Sequence, residues 1–228
     1  MRAHIMSFRT PILVTAWNRP EKLRKVIHKL SALGCSNVFI YCDGPSEESS
    51  KIVNNTLVMQ TINMARELQK AHAIIRDIGV NATNMGCRYT ISAAIDWIFE
   101  KFPEAIILED DIDFREEFLI YCERMLSEHR NNSRVASVSG YNHIDPRQIR
   151  TRRDLCLSRY MHSWGWATWK RAWKNYDRDL ASLTEENIQY VRQQIFPVSP
   201  VAHAMWIKRL RLVKDRIIDS WAYVFNWS

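Results

Sequence analysis

Apolar and polar positions along the chain follow two rhythms. Ile12-Leu13-Val14-Thr15-Ala16 is a short apolar run, the pattern of a parallel strand buried on both faces. Asn18-Arg19-Pro20 breaks it, and Pro20 suits the first turn of a helix, where a missing N–H leaves nothing unpaired. Leu23, Val26, Ile27 and Leu30 then recur at helical spacing, and Gly34 is placed to end that helix. Val38–Cys42 reads as a second strand, terminated by Asp43-Gly44-Pro45. A Ser-rich opening leads into a helical pattern from Lys51 to Leu68, and Ala73-Ile74-Ile75 is the third strand candidate. Asn84-Met85-Gly86 precedes a helix with Ile91, Ala94, Ile95, Ile98 and Phe99 on one face. The fourth strand, from Ala105, runs into Glu109-Asp110-Asp111. An amphipathic helix carrying Phe118, Tyr121, Cys122 and Met125 comes next, and Val135–Val138 reads as a fifth strand.

Strands alternating with helices predict an α/β fold: three layers, α/β/α, around a mostly parallel sheet. Such sheets bind ligands at the carboxyl ends of their strands. Thr15, Asp43 and the Glu109–Asp111 run all fall at strand ends, so they gather along one edge. Beyond about Tyr141 the rhythm changes. The Arg-rich stretch Asp145–Asp154 reads as a loop, and Trp164, Trp166, Trp169 and Trp173 crowd together after it. Helical patterns return near Glu185–Ile195 and His203–Val213. With no internal repeat, the expectation is one domain over residues 1–228, its part from 141 packing onto the sheet and completing the site.

Composition narrows the classes. Apolar residues make up 46% of the 228, enough for a substantial core and against disorder. The net charge of +7 favours polyanionic partners: nucleic acid, anionic lipid or a nucleotide diphosphate. A merely solvated basic surface explains the charge equally well. The five cysteines are odd in number and lack zinc or C-x-x-C spacing, which reads as reduced thiols, mostly core, in a cytosolic protein. No signal peptide and no uncharged run of membrane-spanning length is present, so a soluble protein is expected, with peripheral membrane contact left open.

The chemistry concentrates in Glu109-Asp110-Asp111. Three adjacent carboxylates repel one another and are costly to desolvate. A fold accommodates them most easily around a cation, and a hard divalent ion with oxygen ligands also holds substrate phosphates. The residues therefore point to a metal-dependent enzyme acting on a nucleotide diphosphate, a nucleotide-sugar foremost. No G-x-G-x-x-G or Walker loop is present, so phosphate binding falls to the metal and Arg88.

Plainer readings stand beside these. The triplet also suits a solvated loop or a helix N-terminus. Asp113 sits where it caps the next helix, and Asp43 before Gly44-Pro45 also suits a simple turn. Arg19 and Arg88 are nucleotide-site cations or surface charges. Trp166, Trp169 and Trp173 have helical spacing; Trp169 and Trp173 read as core. Trp164 and Trp166 flank Gly165 in a loop and offer faces for a sugar ring, of acceptor or donor. His143 and His162 show no metal-ligand spacing and read as polar structural residues. The basic stretch Lys208-Arg209-Arg211-Lys214 reads as a solvated face, with anionic-surface contact the lesser alternative.

Thr15-Ala16-Trp17-Asn18-Arg19-Pro20, Asp43-Gly44, Asn84–Arg88, Glu109-Asp110-Asp111 and Ser163–Trp169 together resemble the GT-A glycosyltransferases, in particular the N-acetylglucosaminyltransferase I type and its bacterial relatives. The resemblance implies that the triplet plays the D-x-D part: Asp111 binds Mn or Mg, while Glu109 and Asp110 face the ribose or donor sugar. It places Thr15, Arg19, Asp43 and Arg88 near the nucleotide, UDP being favoured. It makes residues 1–140 the nucleotide-binding half and 141–228 the acceptor-side half, with a saccharide or lipid-linked acceptor. Asp219 in Asp219-Ser220-Trp221 matches the catalytic carboxylate, although Ala222 stands where some relatives carry an acid. Relatives run beyond the position of Ser228, so a truncated member is expected.

The implied reaction is glycosyl transfer with inversion. A divalent ion neutralises the departing diphosphate, and Asp219 takes the acceptor's proton. The expected place is surface-polysaccharide assembly in the cytoplasm, at the inner face of the membrane. The competing readings are a non-catalytic nucleotide-sugar binder and a sugar-phosphate nucleotidyltransferase, although Ala16-Trp17-Asn18-Arg19 lacks the glycine run of the latter. Nucleic-acid binding rests on charge alone, with no motif to support it.

Overall fold

Five consecutive buried residues make Ile12–Ala16 the strand β1, at the middle of the sheet. The computed structural model describes residues 8–48, 52–142, 155–194 and 199–228. His143, the Asp145–Asp154 stretch, Lys51 and Ile195 lie outside them. β1 pairs in parallel with β2 (Val38–Cys42) on one side and β4 (Glu104–Glu109) on the other. β3 (Ile75–Val80) runs parallel to β2 at one margin. β6 (Trp166–Trp169) is antiparallel to both β4 and β5 (Ser137–Ser139), giving the order β3-β2-β1-β4-β6-β5. The fold is thus α/β with a mixed, mostly parallel sheet, compatible with a Rossmann-like arrangement.

The helices arise from local signals. In α1 (Pro20–Ala32), Pro20 sits in the first turn and Leu23, Val26, Ile27 and Leu30 are buried, while Gly34 just beyond has φ 74°. α2 (Ile52–Ala71) continues past the expected Leu68. α3 (Gly86–Lys101) buries Ile91, Ala94, Ile95, Ile98 and Phe99 as their spacing predicts. α4 (Glu116–Glu128) has Arg115, not Asp113, at its N-cap. The expected Asp113 cap is corrected: Asp113 instead pairs with Lys29 at 2.5 Å. The short α5 (Lys170–Trp173), then α6 (Glu185–Gln194), α7 (Pro200–Lys214) and α8 (Trp221–Trp227) complete the described chain.

Alternate residues of β1 enter different apolar clusters. Ile12, Val14 and Ala16 pack with Leu23, Ile27 and Leu30 of α1 and Leu119 of α4. Leu13 joins Ile91, Ile95 and Ile98 of α3, Ile107 of β4, and Trp166, Trp173 and Trp221. A third cluster joins Leu180, Ile188 of α6, Leu210 of α7 and Val224 of α8. Each fully buried Leu or Ile contributes on the order of 1.5–3 kcal/mol.

Three strands differ from expectation. β3 begins at Ile75 rather than Ala73, because a marginal strand tolerates Arg76 and Asp77 and so breaks the apolar pattern. β5 is shifted to Ser137–Ser139. The Trp166–Trp169 stretch is the buried strand β6, neither helix nor loop. Among the described residues no helix is long and apolar enough to cross a membrane. Cys35, Cys42 and Cys122 are buried, Cys87 and Cys156 exposed, and none of the five forms a disulfide.

Candidate functional site

From β1 the chain winds to β2 and β3 on one side and returns to β4 on the other. The strand order therefore reverses between β1 and β4, and a parallel sheet opens a ligand crevice at the carboxyl ends of such a pair. The ends of β1 and β4 carry Thr15 and Glu109, which face each other in register. The Thr15 carbonyl accepts the Asp110 N–H at 3.0 Å, and the Thr15 hydroxyl donates to the Leu108 carbonyl at 3.4 Å. Thr15, expected near the nucleotide, is buried and fixes the tip of β4.

Arg19, at the N-cap of α1, completes the cluster. Its Nη1 reaches Asp110 Oδ1 at 3.2 Å and Asp111 Oδ2 at 2.6 Å. The Trp17 N–H lies 3.5 Å from Asp110 Oδ2, and Lys22 Nζ 3.9 Å from Asp111. Lys22 belongs to this cluster without having been singled out in the sequence; its place one turn into the helix from Arg19 is the signal. Burial, then Asp111 and Asp110, push the Glu109 carboxyl up to about 7, against the pull of Arg19. Burial also raises Asp110, while Arg19 pulls it down and Asp111 adds to the rise. Arg19 pairs with Asp110 and Asp111, and Lys22 stands beside Asp111.

A second group of carboxylates organises the first turn of α3. Asp43, buried at the end of β2, accepts N–H donors from Gly44 at 2.9 Å, Met85 at 3.0 Å and Gly86 at 3.2 Å. The amides of Asn81 and Asn84 donate to it at 3.0 and 2.8 Å. It ties the end of β2 to the loop before α3, which is more than the simple turn its sequence context suggested. Asp219, just before α8, accepts from the Cys87 N–H at 2.6 Å and the Arg88 N–H at 2.8 Å. These are two of the unpaired donors that any helix start presents. Gly86 makes the approach possible: its φ is 79°, and a Cβ there would lie 2.6 Å from Asp219 Oδ2.

Two expected site residues are used elsewhere. Arg88 is buried; its Nε donates to the Arg178 carbonyl at 2.9 Å and its Nη1 to the Val213 carbonyl at 2.8 Å. In place of the expected phosphate contact, this guanidinium fastens α3 to the segment before α6 and to the last turn of α7. Trp166, expected to meet a sugar, is 1% exposed and stacks on Trp221 at 5.0 Å. Trp169 and Trp173 are core, as their pattern suggested. Trp164 is 58% exposed, its ring 4.8 Å from that of Tyr141. Because β6 runs antiparallel to β4, Trp164 precedes β6 at the end where the acids lie. Tyr141 was not identified from sequence.

Among the described residues no group of three His, Cys, Asp or Glu side chains is gathered as a metal cage. The donors at the tip of β4 are nonetheless all carboxylate oxygens, suited to a hard cation that draws its other ligands from phosphate and water. Burial first and the two neighbouring acids next raise the Glu109 carboxyl, and a cation among them would relieve the second of these. No protein-family model matches the chain, and comparison with curated proteins finds no similar sequence.

Proposed function

We propose that the chain is a glycosyltransferase of the GT-A type, moving a sugar from a nucleoside-diphosphate sugar, UDP-sugar foremost, to an acceptor hydroxyl with inversion. The observation that carries this reading is the meeting of Glu109-Asp110-Asp111 with Arg19 where the strand order reverses. The separate clusters fed by alternate residues of β1 support the three-layer arrangement.

Arg19 and Lys22 supply positive charge for the diphosphate side of the donor. Asp110, fixed by Arg19, orients that guanidinium. Glu109 exchanges its proton near neutrality, so it donates or accepts a hydrogen bond to a donor hydroxyl. Asp111 would hold Mn or Mg, and that ion supplies charge neutralisation on the departing diphosphate. Asp219 is exposed, and its oxygens keep lone pairs beyond those used by the Cys87 and Arg88 N–H groups. It takes the acceptor proton as the new bond forms. Trp164 with Tyr141 offers an aromatic face for a saccharide or lipid-linked acceptor, consistent with work at the inner face of a membrane.

A second reading, nucleotide-sugar binding without turnover, is favoured by the engagement of Asp219 at the start of α3. Thermal shift with UDP, GDP and CMP, each with and without Mn, tests both. Metal-dependent stabilisation by one diphosphate that Asp111→Asn abolishes is the expected result, and no stabilisation by any of them overturns both readings. Donor hydrolysis that Asp219→Asn removes, with binding retained, marks an enzyme; binding with no hydrolysis marks the second reading.

A further inference from the structure

α7 is apolar on two sides, and only one of them faces the protein. His203, Ile207, Leu210 and Val213 are buried inward. Val201 and Met205, one turn apart on another side, are 71% and 54% exposed. Ile217, just beyond the helix, is 70% exposed. A surface helix of a globular protein carries polar residues on its outer side, so these positions need a reason.

The charges around them supply it. Residues 200–217 contain five basic side chains, Lys208, Arg209, Arg211, Lys214 and Arg216, against one acid, Asp215. Lys208 lies seven residues, two turns, from Val201 and continues its face. Arg209 reaches the Tyr223 hydroxyl at 2.9 Å and Arg211 pairs with Glu185, so both cations are held at the rim of the apolar strip. A polyanion in water gains from the cations but leaves the exposed Val, Met and Ile unused. A bilayer rich in anionic lipid uses both: its headgroups meet the Lys and Arg side chains, and the boundary of its acyl region takes up the apolar ones.

We infer that the outer side of α7, around Val201, Met205 and Lys208, is a docking surface for an anionic lipid bilayer. This contact is independent of the donor chemistry proposed above.

The test is co-sedimentation of the full chain with phosphatidylcholine vesicles containing either no or about 30% phosphatidylglycerol, at about 0.1 M salt. Binding to the anionic vesicles alone, weakened at about 0.5 M salt, is expected. Lys208→Glu lowers the partition coefficient about five-fold or more. The double variant V201S/M205S, which alters only exposed side chains, lowers it about ten-fold with an unchanged circular dichroism spectrum. Failure to sediment with anionic vesicles, or equal binding to neutral ones, overturns the inference. So does full retention of binding by V201S/M205S together with equal affinity of the parent for an RNA homopolymer, which identifies a soluble polyanion as the partner.

Discussion

Glu109 shows how one side chain reports on its surroundings. Its carboxyl rises from 4.5 to about 7 through burial first and its two acidic neighbours next. The folded chain therefore binds this proton more tightly than the unfolded chain does. Stability attributable to Glu109 is greatest below about 4.5 and falls as pH rises to about 7. Urea denaturation of Glu109→Gln, which cannot ionise, is expected to show a gain of about 1–2 kcal/mol at pH 8 and almost none at pH 4.5. Equal effects at the two pH values remove Glu109 from this role. The triplet was legible in the sequence because acids directly after a buried run are costly anywhere but a strand tip. The parts played by Asp43 and Asp219 were not legible, since their partners at Met85 to Arg88 lie tens to more than a hundred residues away.

At the scale of elements, legibility tracked burial. β1, β2 and β4 are central strands, and their continuous apolar runs identify them. β3 is marginal and mixed, so its pattern misplaced it. β6 was hidden by Trp166 and Trp169, whose three-residue separation imitates a helix although both are buried in a four-residue strand. The two tryptophans beside Gly165 consequently part company. Trp166→Ala empties a stacked core position and is expected to cost about 3–5 kcal/mol. Trp164→Ala changes stability by no more than about 0.5 kcal/mol. Thermal denaturation followed by circular dichroism distinguishes them, and equal losses contradict the assignment of Trp164 to the surface.

For the molecule as a whole, Arg88 binds the sheet-forming part of the chain to its C-terminal helices. From the first turn of α3 it reaches carbonyls at Arg178 and Val213, with Asp179 3.6 Å away. Replacement by Met strips both carbonyls of these charged donors, at a cost of about 2–4 kcal/mol. Arg88→Lys recovers little, because an ammonium lacks the planar fork that spans two acceptors. Urea unfolding gives the magnitude, and earlier tryptic cleavage after Arg178 or Lys214 than in the parent gives the location. Unchanged cleavage in both variants excludes the fastening role.

The central placement of β4 has a further consequence. β1 is hydrogen-bonded along one flank as far as Glu109, and β6 along the other as far as Ile107, so the strand leading into the acids is held on both sides. Exchanging an acid there for its amide subtracts charge next to a backbone that β1 anchors through Glu109 and the Asp110 N–H. A panel of such isosteric swaps at Glu109, Asp110 and Asp111 thus reads out local field strength almost free of backbone rearrangement.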